Sequence, residues 1–348
     1  MKHVAQELGV SVTTVSNAYS YPERLSSQLR ARILATAERM GYTGPDAAGR
    51  LLRSGKAKAV GVLGGAGYSF AFRDAYALTK FASLSEVLEQ AGVALTLLPT
   101  GADEQNVEAM ARAVVDCLVC FSGQSDTAPV QLARKRGLRI IHSQVVPDAE
   151  YVAIDDPYAG QLIGAHLAAL GHRRVVVALR EKCRTEMWAL HDLTDLDAAC
   201  DRLSTEQGAF WGHRLRGVVD GLGPEASISL VTFDRSAPAG HHDVLDELLN
   251  RDEPPTAIVA LSDRLALSLM PVLERRGLRI GTDISLTGFD GIPEALDVGL
   301  TTLRQPISEK GRRIGELALD PDPVERQILL PVELIIGTTT GPAVPTGG

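Results

Sequence analysis

Val4-Ala5-Gln6-Glu7-Leu8-Gly9-Val10-Ser11-Val12-Thr13-Thr14-Val15-Ser16-Asn17 decides how the amino-terminal part folds. Val4, Ala5 and Leu8 share one face of a short helix. Gly9 stops it, because glycine readily takes the left-handed conformation that a tight turn needs. Ser11 then caps a second helix running from Val12 to Tyr19. Two short helices across a glycine turn make a helix-turn-helix pattern. A third helix is predicted from about Ser26 to Met40, with Leu29, Ile33, Leu34, Ala37 and Met40 at the spacing of one face. Ser26 or Ser27 caps it, Gly41 ends it, and its apolar face closes a small core over the first two helices.

The second helix carries side chains suited to duplex DNA. Val12, Thr13, Ser16 and Asn17 form a face of short residues that lets a backbone approach closely. Asn17 can bond an adenine edge with two hydrogen bonds, and the methyls of Val12 and Thr13 suit a thymine methyl. Ser11, Ser16 and the helix N-terminus can meet phosphates. Charge points the same way. Residues 1–58 carry nine Lys or Arg against four acids, a net +5, which leaves −13 on the other 290 residues of a chain whose total is −8. A basic end on an acidic body directs that end alone towards a polyanion.

The chain has 348 residues, enough for two or three folded units, and 45% are hydrophobic, enough for a sizeable core. No apolar run approaches the roughly 20 residues that span a bilayer. The first residues also lack the apolar segment of a signal peptide, so the expected setting is the cytoplasm, with no membrane partner. Cys117 and Cys120 form a C-x-x-C, but they lie in the apolar run Val114–Phe121, which reads as a buried strand. Side chains at i and i+3 of a strand point to opposite faces, so they read as core rather than as a metal or redox pair. No metal and no cofactor is expected. His241-His242-Asp243 reads as a solvated helix start, and Gly64-Gly65-Ala66-Gly67 lacks the ending of a phosphate loop.

From Ala59 onward, strand-like and helix-like segments alternate. Strands are predicted at Ala59–Leu63, Val93–Leu98, Val114–Phe121, Arg139–Ile141, Tyr151–Asp155, Arg174–Leu179, Ile228–Phe233, Ala257–Leu261 and Ser285–Phe289. Continuous apolar runs between helices indicate parallel sheets covered on both faces. So many strands exceed one such sheet, so two lobes are expected, with a ligand between them outside the strand carboxyl ends. A transport-type binding protein and an enzyme are the competing classes. The basic helical segment argues against the first. Against the second, the sequence shows no nucleophile elbow, paired catalytic acids or metal cluster.

The opening segment, together with Pro22–Tyr42 and the run Pro45–Leu63, resembles the lactose/galactose repressor family. The likeness continues at 152–160, 167–174, 255–267, 288–293 and 300–306, so it covers nearly the whole chain. It implies a small all-α helix-turn-helix domain at 1–44 and a hinge helix and linker at 45–57. A two-lobed periplasmic-binding-protein-like domain at 58–338 would follow, with parallel sheets flanked by helices, and then a tail at 339–348. Lobe one would take about 58–153 and 290–318; lobe two would take about 154–289 and 319–338. The implied activity is transcription regulation, with no catalysis: repression by a homodimer on a double-stranded DNA operator, controlled by a small-molecule effector.

Carried over by position, Val12, Thr13 and Asn17 would read bases. Ser11, Thr14, Ser16, Tyr42, Arg50 and Arg53 would contact the DNA backbone, and Leu52 would wedge into the minor groove. Arg214, Ser262 and Asp290 would line the effector cleft, where an Arg fork and a carboxylate orient a small polar molecule. The alternative for Arg214 and Asp290 is that they pair with each other or with Asp263. Trp188 and Trp211 would serve packing or stack on a sugar. The sequence departs from the family at His3, where an acid is usual, at the extra residue before Pro45, and at Gly49, where Ala is usual.

Overall fold

A computed structural model describes residues 1–44, 55–64, 72–100, 104–121, 126–181, 186–190, 193–206, 209–234 and 240–344. The chain divides into two units, Met1–Ala57 and Lys58–Gly348. Arg50, Leu52 and Arg53 lie outside the described residues.

The first unit holds α1 (Lys2–Leu8), α2 (Val12–Ser20) and α3 (Ser27–Arg39). Gly9 ends α1 at φ 65°, the left-handed turn expected of it. Ser11 caps α2, its Oγ accepting from the Thr14 amide at 2.9 Å, and Ser26 caps α3 by accepting from the Leu29 amide at 3.3 Å. Val4, Ala5, Val15, Ala18, Ile33 and Ala37 make the core. Met40 was expected there but is 40% exposed at the C-cap of α3. The chain turns at Gly41, and the Tyr42 ring closes that side edge-on against Tyr19, with centroids 5.9 Å apart.

The second unit is built on two parallel sheets. The first runs β12-β5-β4-β3-β1-β2 and contains Ala59–Leu63 (β1), Ala94–Leu98 (β2), Cys117–Cys120 (β3), Arg139–His142 (β4), Glu150–Ile154 (β5) and Gln327–Leu330 (β12). The second runs β10-β9-β6-β8-β7, from Arg174–Glu181 (β6), Glu186–Leu190 (β7), Ser227–Asp234 (β8), Ala257–Ala260 (β9) and Ser285–Thr287 (β10), with β7 antiparallel on its edge. Helices between the strands include α4 (Ala75–Gln90), α5 (Glu104–Arg112), α6 (Ala128–Lys135), α7 (Asp156–Ala169) and α8 (Leu193–Glu206). Further along come α9 (Ala209–Leu222), α10 (Gly240–Leu249), α11 (Asp263–Arg275), α12 (Pro293–Asp297) and α13 (Ile307–Leu319). Cys117 packs with Val60 and Val62, whereas Cys120 packs with Leu63 and Met110 in a separate cluster, so the two thiols face opposite ways. Burial pushes both up to about 12.

The chain crosses between lobes in places that differ from the sequence expectation. Residues after Asp290 stay with the second lobe: the Gly288 amide donates to the Thr301 carbonyl at 2.8 Å and the Asp290 amide to that of Leu303 at 2.9 Å. The passage to lobe one lies near Gln305, after β11 (Thr302–Arg304). Likewise β12 was expected in lobe two but pairs with β5 in the first sheet, Gln327 against Tyr151. Both shifts follow from main-chain groups finding partners distant in sequence. β13 (Glu333–Ile335) then pairs antiparallel with β11, so these two strands run together where the chain crosses.

Both sheets reverse winding direction in the same way, β1 lying between β2 and β3, and β6 between β8 and β9. In such sheets a crevice opens beyond the strand carboxyl ends at the reversal. Phe121 follows β3 directly, and Leu261-Ser262 follow β9 directly.

Candidate functional site

Two surfaces stand out, one on each unit. On the first, Ser11, Val12 and Thr13 are exposed at the start of α2, with Val12 at 42%, and Asn17 is half-buried one turn on. Val15 and Ala18 face the core. Ser16 faces inward with them at 4% exposure, which removes it from the outer face where a phosphate contact was expected. The reason is periodicity: Ser16 follows Val15 on the stripe that packs on the neighbouring helices. Thr14 is half-buried, and its Oγ1 lies 2.8 Å from the Ser11 Oγ. Tyr42 is half-buried against Tyr19. The α2 face therefore offers short side chains and an N-terminus capped by Ser11.

On the second unit, charged groups converge where the lobes meet. Arg214, on α9, donates from Nε to Asp156 Oδ1 at 2.8 Å and from Nη1 to the Leu261 carbonyl at 3.1 Å. Its guanidinium lies over the Phe289 ring at 3.7 Å, with Phe210 at 5.0 Å and Trp211 at 5.4 Å. Asp290 Oδ1 stands 3.9 Å from Arg214 and accepts from Gln305 Nε2 at 2.9 Å. Asp290 holds φ at 132°, a region side chains rarely adopt, locked by its bond to Leu303. Burial first, opposed by Arg214, raises its carboxyl well above the usual range.

The network continues into lobe one. The Gln305 side chain accepts from the Tyr76 hydroxyl at 3.3 Å, and Lys310 Nζ donates to that hydroxyl at 3.2 Å. Lys80 Nζ lies 4.8 Å from the Tyr76 ring centre and 4.1 Å from that of Phe121, with Ser143 Oγ at 3.4 Å. Burial first, then their mutual repulsion, holds Lys80 well below the usual lysine range; burial brings Lys310 to about 8. Arg264 reaches from α11 to Asp74 at 3.6 Å, at the start of α4.

Ser262 caps α11, accepting from the Leu265 amide at 3.3 Å. Asp263, fully buried beside it, accepts from the Ile292 amide and the Thr302 hydroxyl and so staples the Asp290 loop rather than pairing with Arg214. The side chain of Trp188 lies outside the described residues. Sequence reading thus brought Arg214, Ser262 and Asp290 to one neighbourhood but missed Asp156, Tyr76, Lys80, Gln305 and Lys310. Two of these carried a signal: Lys80 falls on the stripe Tyr76, Lys80, Leu84, Leu88 of α4, and Lys310 on the stripe Ile307, Lys310, Ile314 of α13. A lysine on an apolar stripe needs a reason to be there.

Comparison with known proteins follows the same division. Residues 1–44 match the family described as bacterial regulatory proteins, lacI family, and residues 165–340 match a periplasmic binding protein-like domain. An HTH-type transcriptional regulator of Mycolicibacterium smegmatis is 34% identical over 97% of this chain and 95% of its own. The HTH-type transcriptional regulator Rv3575c of Mycobacterium tuberculosis is 34% identical over 97% and 96% respectively. Among solved structures, the lac repressor dimer bound to operator and the anti-inducer ONPF matches with a TM-score of 0.71 at 22% identity, over 97% of this chain and 98% of that one. At that identity the likeness speaks for the fold.

Proposed function

The chain belongs to the lacI family of bacterial regulatory proteins, and from that premise we propose that it represses transcription as a homodimer on a pseudo-palindromic operator. It is a ligand-responsive, DNA-binding transcriptional regulator without a catalytic role, and its place is the cytoplasm, with the DNA. Residues 1–44 bind DNA, and the hinge is assigned to residues 45–57, most of which lie outside the described residues. The unit from residue 58 onward holds the effector and the dimer contact. It includes residues 339–343, expected as a tail, because Thr339 is buried and its carbonyl accepts from the Leu286 amide. Among the described residues no helix is long and apolar enough to cross a membrane.

The single observation that carries this reading is the capped α2 with Val12 and Thr13 exposed and Asn17 half-buried one turn on. Short side chains on an amide-rich helix start fit a major groove, with Asn17 reading a base and Ser11 and Thr14 meeting phosphates. Two copies of that helix read two half-sites about one helical turn apart. The lac repressor dimer, of the same fold, is bound to an operator in its crystal structure, which supports the assignment.

The effector sits among Arg214, Asp290, Ser262 and Asp156, and couples to DNA by altering how the lobes meet. A coupling of about 1–3 kcal/mol changes operator affinity roughly 5–150-fold. Selection of bound sequences from random duplex DNA tests the proposal. An inverted repeat is the expected product; recovery of no common motif, or of a single unrepeated half-site, contradicts it.

A further inference from the structure

We propose that the effector is a phosphomonoester of a small polyhydroxylated molecule, its phosphate held between Lys80 and Lys310. The proposal deepens the cleft assignment above and rests on it.

Lys80 and Lys310 are each 3% exposed, on two helices pressed together at this point. A Cβ on Gly311 would stand 2.4 Å from the Lys80 carbonyl, so the backbone of α13 touches that of α4 beside both lysines. The two ammonium groups face the same Tyr76 ring, Lys80 at 4.8 Å and Lys310 at 6.0 Å from its centre. Among the described residues neither makes an ion pair. The nearby acids are otherwise engaged: Asp156 with Arg214, Asp290 with Gln305, and Asp74 with the Ala77 amide and Arg264.

What the lysines do have is weak. An ammonium carries three donors. Lys80 meets one hydroxyl, Ser143, and two ring faces; Lys310 meets the Tyr76 hydroxyl. Ring contacts offset only a fraction of the cost of burying a cation, and two like charges side by side add to it. A dianion resolves both problems at once. A phosphomonoester at neutral pH carries about −1.5 to −2 charge and three strong acceptor oxygens, whereas a carboxylate neutralises one lysine and a sugar hydroxyl, though it can accept from an ammonium, neutralises neither. The remainder of the cleft suits the other half of such a molecule. Asp290 and Gln305, bonded to each other at 2.9 Å, supply carboxylate and amide groups that can take hydroxyls in exchange, and the half-buried Trp211 supplies a ring.

The test is calorimetric titration of the full chain in phosphate-free buffer with matched pairs: ribose and ribose 5-phosphate, glucose and glucose 6-phosphate, inositol and inositol monophosphate. Gluconate and inorganic phosphate complete the set. At least one phosphomonoester is expected to bind about 100-fold more tightly than its parent, as two charge-assisted contacts imply. Lys80→Met and Lys310→Met are each expected to remove about tenfold of that preference. Where Lys80→Met fails to melt as a folded protein, Lys310→Gln decides.

The proposal is overturned if no phosphomonoester outbinds its parent, if the preference survives both variants, or if gluconate or inorganic phosphate binds as tightly as any ester. Operator binding measured in parallel separates this from the regulator reading. Release from DNA by a neutral sugar alone keeps the regulator and overturns the phosphate site. Ester binding without any DNA binding does the reverse.

Discussion

Asp156 Oδ1 and Arg214 Nε lie 2.8 Å apart with both side chains only 7% exposed, joining the first turn of α7 to the middle of α9. Four glycines set that distance. A Cβ on Gly160 would stand 2.3 Å from the Arg214 carbonyl, and one on Gly217 would stand 2.0 Å from that of Pro157; Gly164 and Gly221 repeat the arrangement one turn on. The two helices therefore meet backbone to backbone, and the cleft arginine is aimed by a seam that no side chain can enter.

Gly217→Ala is accordingly expected to force the helices apart. Overpacking of this kind costs about 1–3 kcal/mol, and here it also displaces Arg214. Urea denaturation should show the loss of stability, and effector affinity should fall with it. Unchanged stability and affinity would show that the seam has slack.

The ion pair itself separates structural from functional cost. Asp156→Ala leaves a buried guanidinium without its closest partner and is expected to destabilise by about 3–5 kcal/mol. The double variant Asp156→Leu with Arg214→Met should recover much of that loss, because it removes both charges, while effector response stays absent. Chemical denaturation of the single and the double variant, read beside effector titration, checks this. Recovery of both stability and response would take Arg214 out of the effector site.

On the DNA-reading unit, Asn17→Ala should relax base preference at one position of each half-site. The cost is about 1–3 kcal/mol of discrimination, with the salt dependence of binding nearly unchanged, since no phosphate contact is lost. A selection experiment with wild type and variant in parallel measures it. Identical preferences would move base reading elsewhere on α2.

His142 supplies a pH dependence. It is 1% exposed, and its Nδ1 has no hydrogen-bond partner among the described residues. Burial first, then Arg134, lowers its pKa from 6.5 to about 4. Between those two values the unfolded chain binds the extra proton and the folded chain does not. Stability contributed by neutral His142 is therefore lost as pH falls from 6.5 towards 4, with a slope of at most about 1.4 kcal/mol per pH unit. Thermal melts of His142→Asn should show a shallower acid limb than wild type; parallel limbs would contradict the assignment.

How much of this was legible in the sequence depends on the range of each interaction. The α1–α2–α3 unit could be read because its signals are local: Gly9 at a turn, Ser11 and Ser26 at caps, one apolar stripe per helix. Met40 misled because it continues the apolar periodicity one residue beyond Arg39, where the helix ends and Met40 becomes its C-cap. The crossover at Gln305 was hidden because Gly288 and Asp290 take their main-chain partners from Thr301 and Leu303, a pairing that no local pattern announces. Asp156 was masked by its neighbour. Asp155 does the capping, accepting from the Tyr158 amide at 2.9 Å, and nothing nearby shows that the next acid serves an arginine on another helix.

The central claim is that an α2 turned towards duplex DNA answers to the charged cleft. It is tested most directly by fluorescence anisotropy of a labelled operator, titrated with the full chain across a salt series, with and without a saturating effector. Kd should rise steeply with salt, as phosphate contacts require, and effector should shift it about 5–150-fold, a shift that Arg214→Ala abolishes. A Kd indifferent to salt and to every cleft ligand, or a shift that persists in Arg214→Ala, would contradict it.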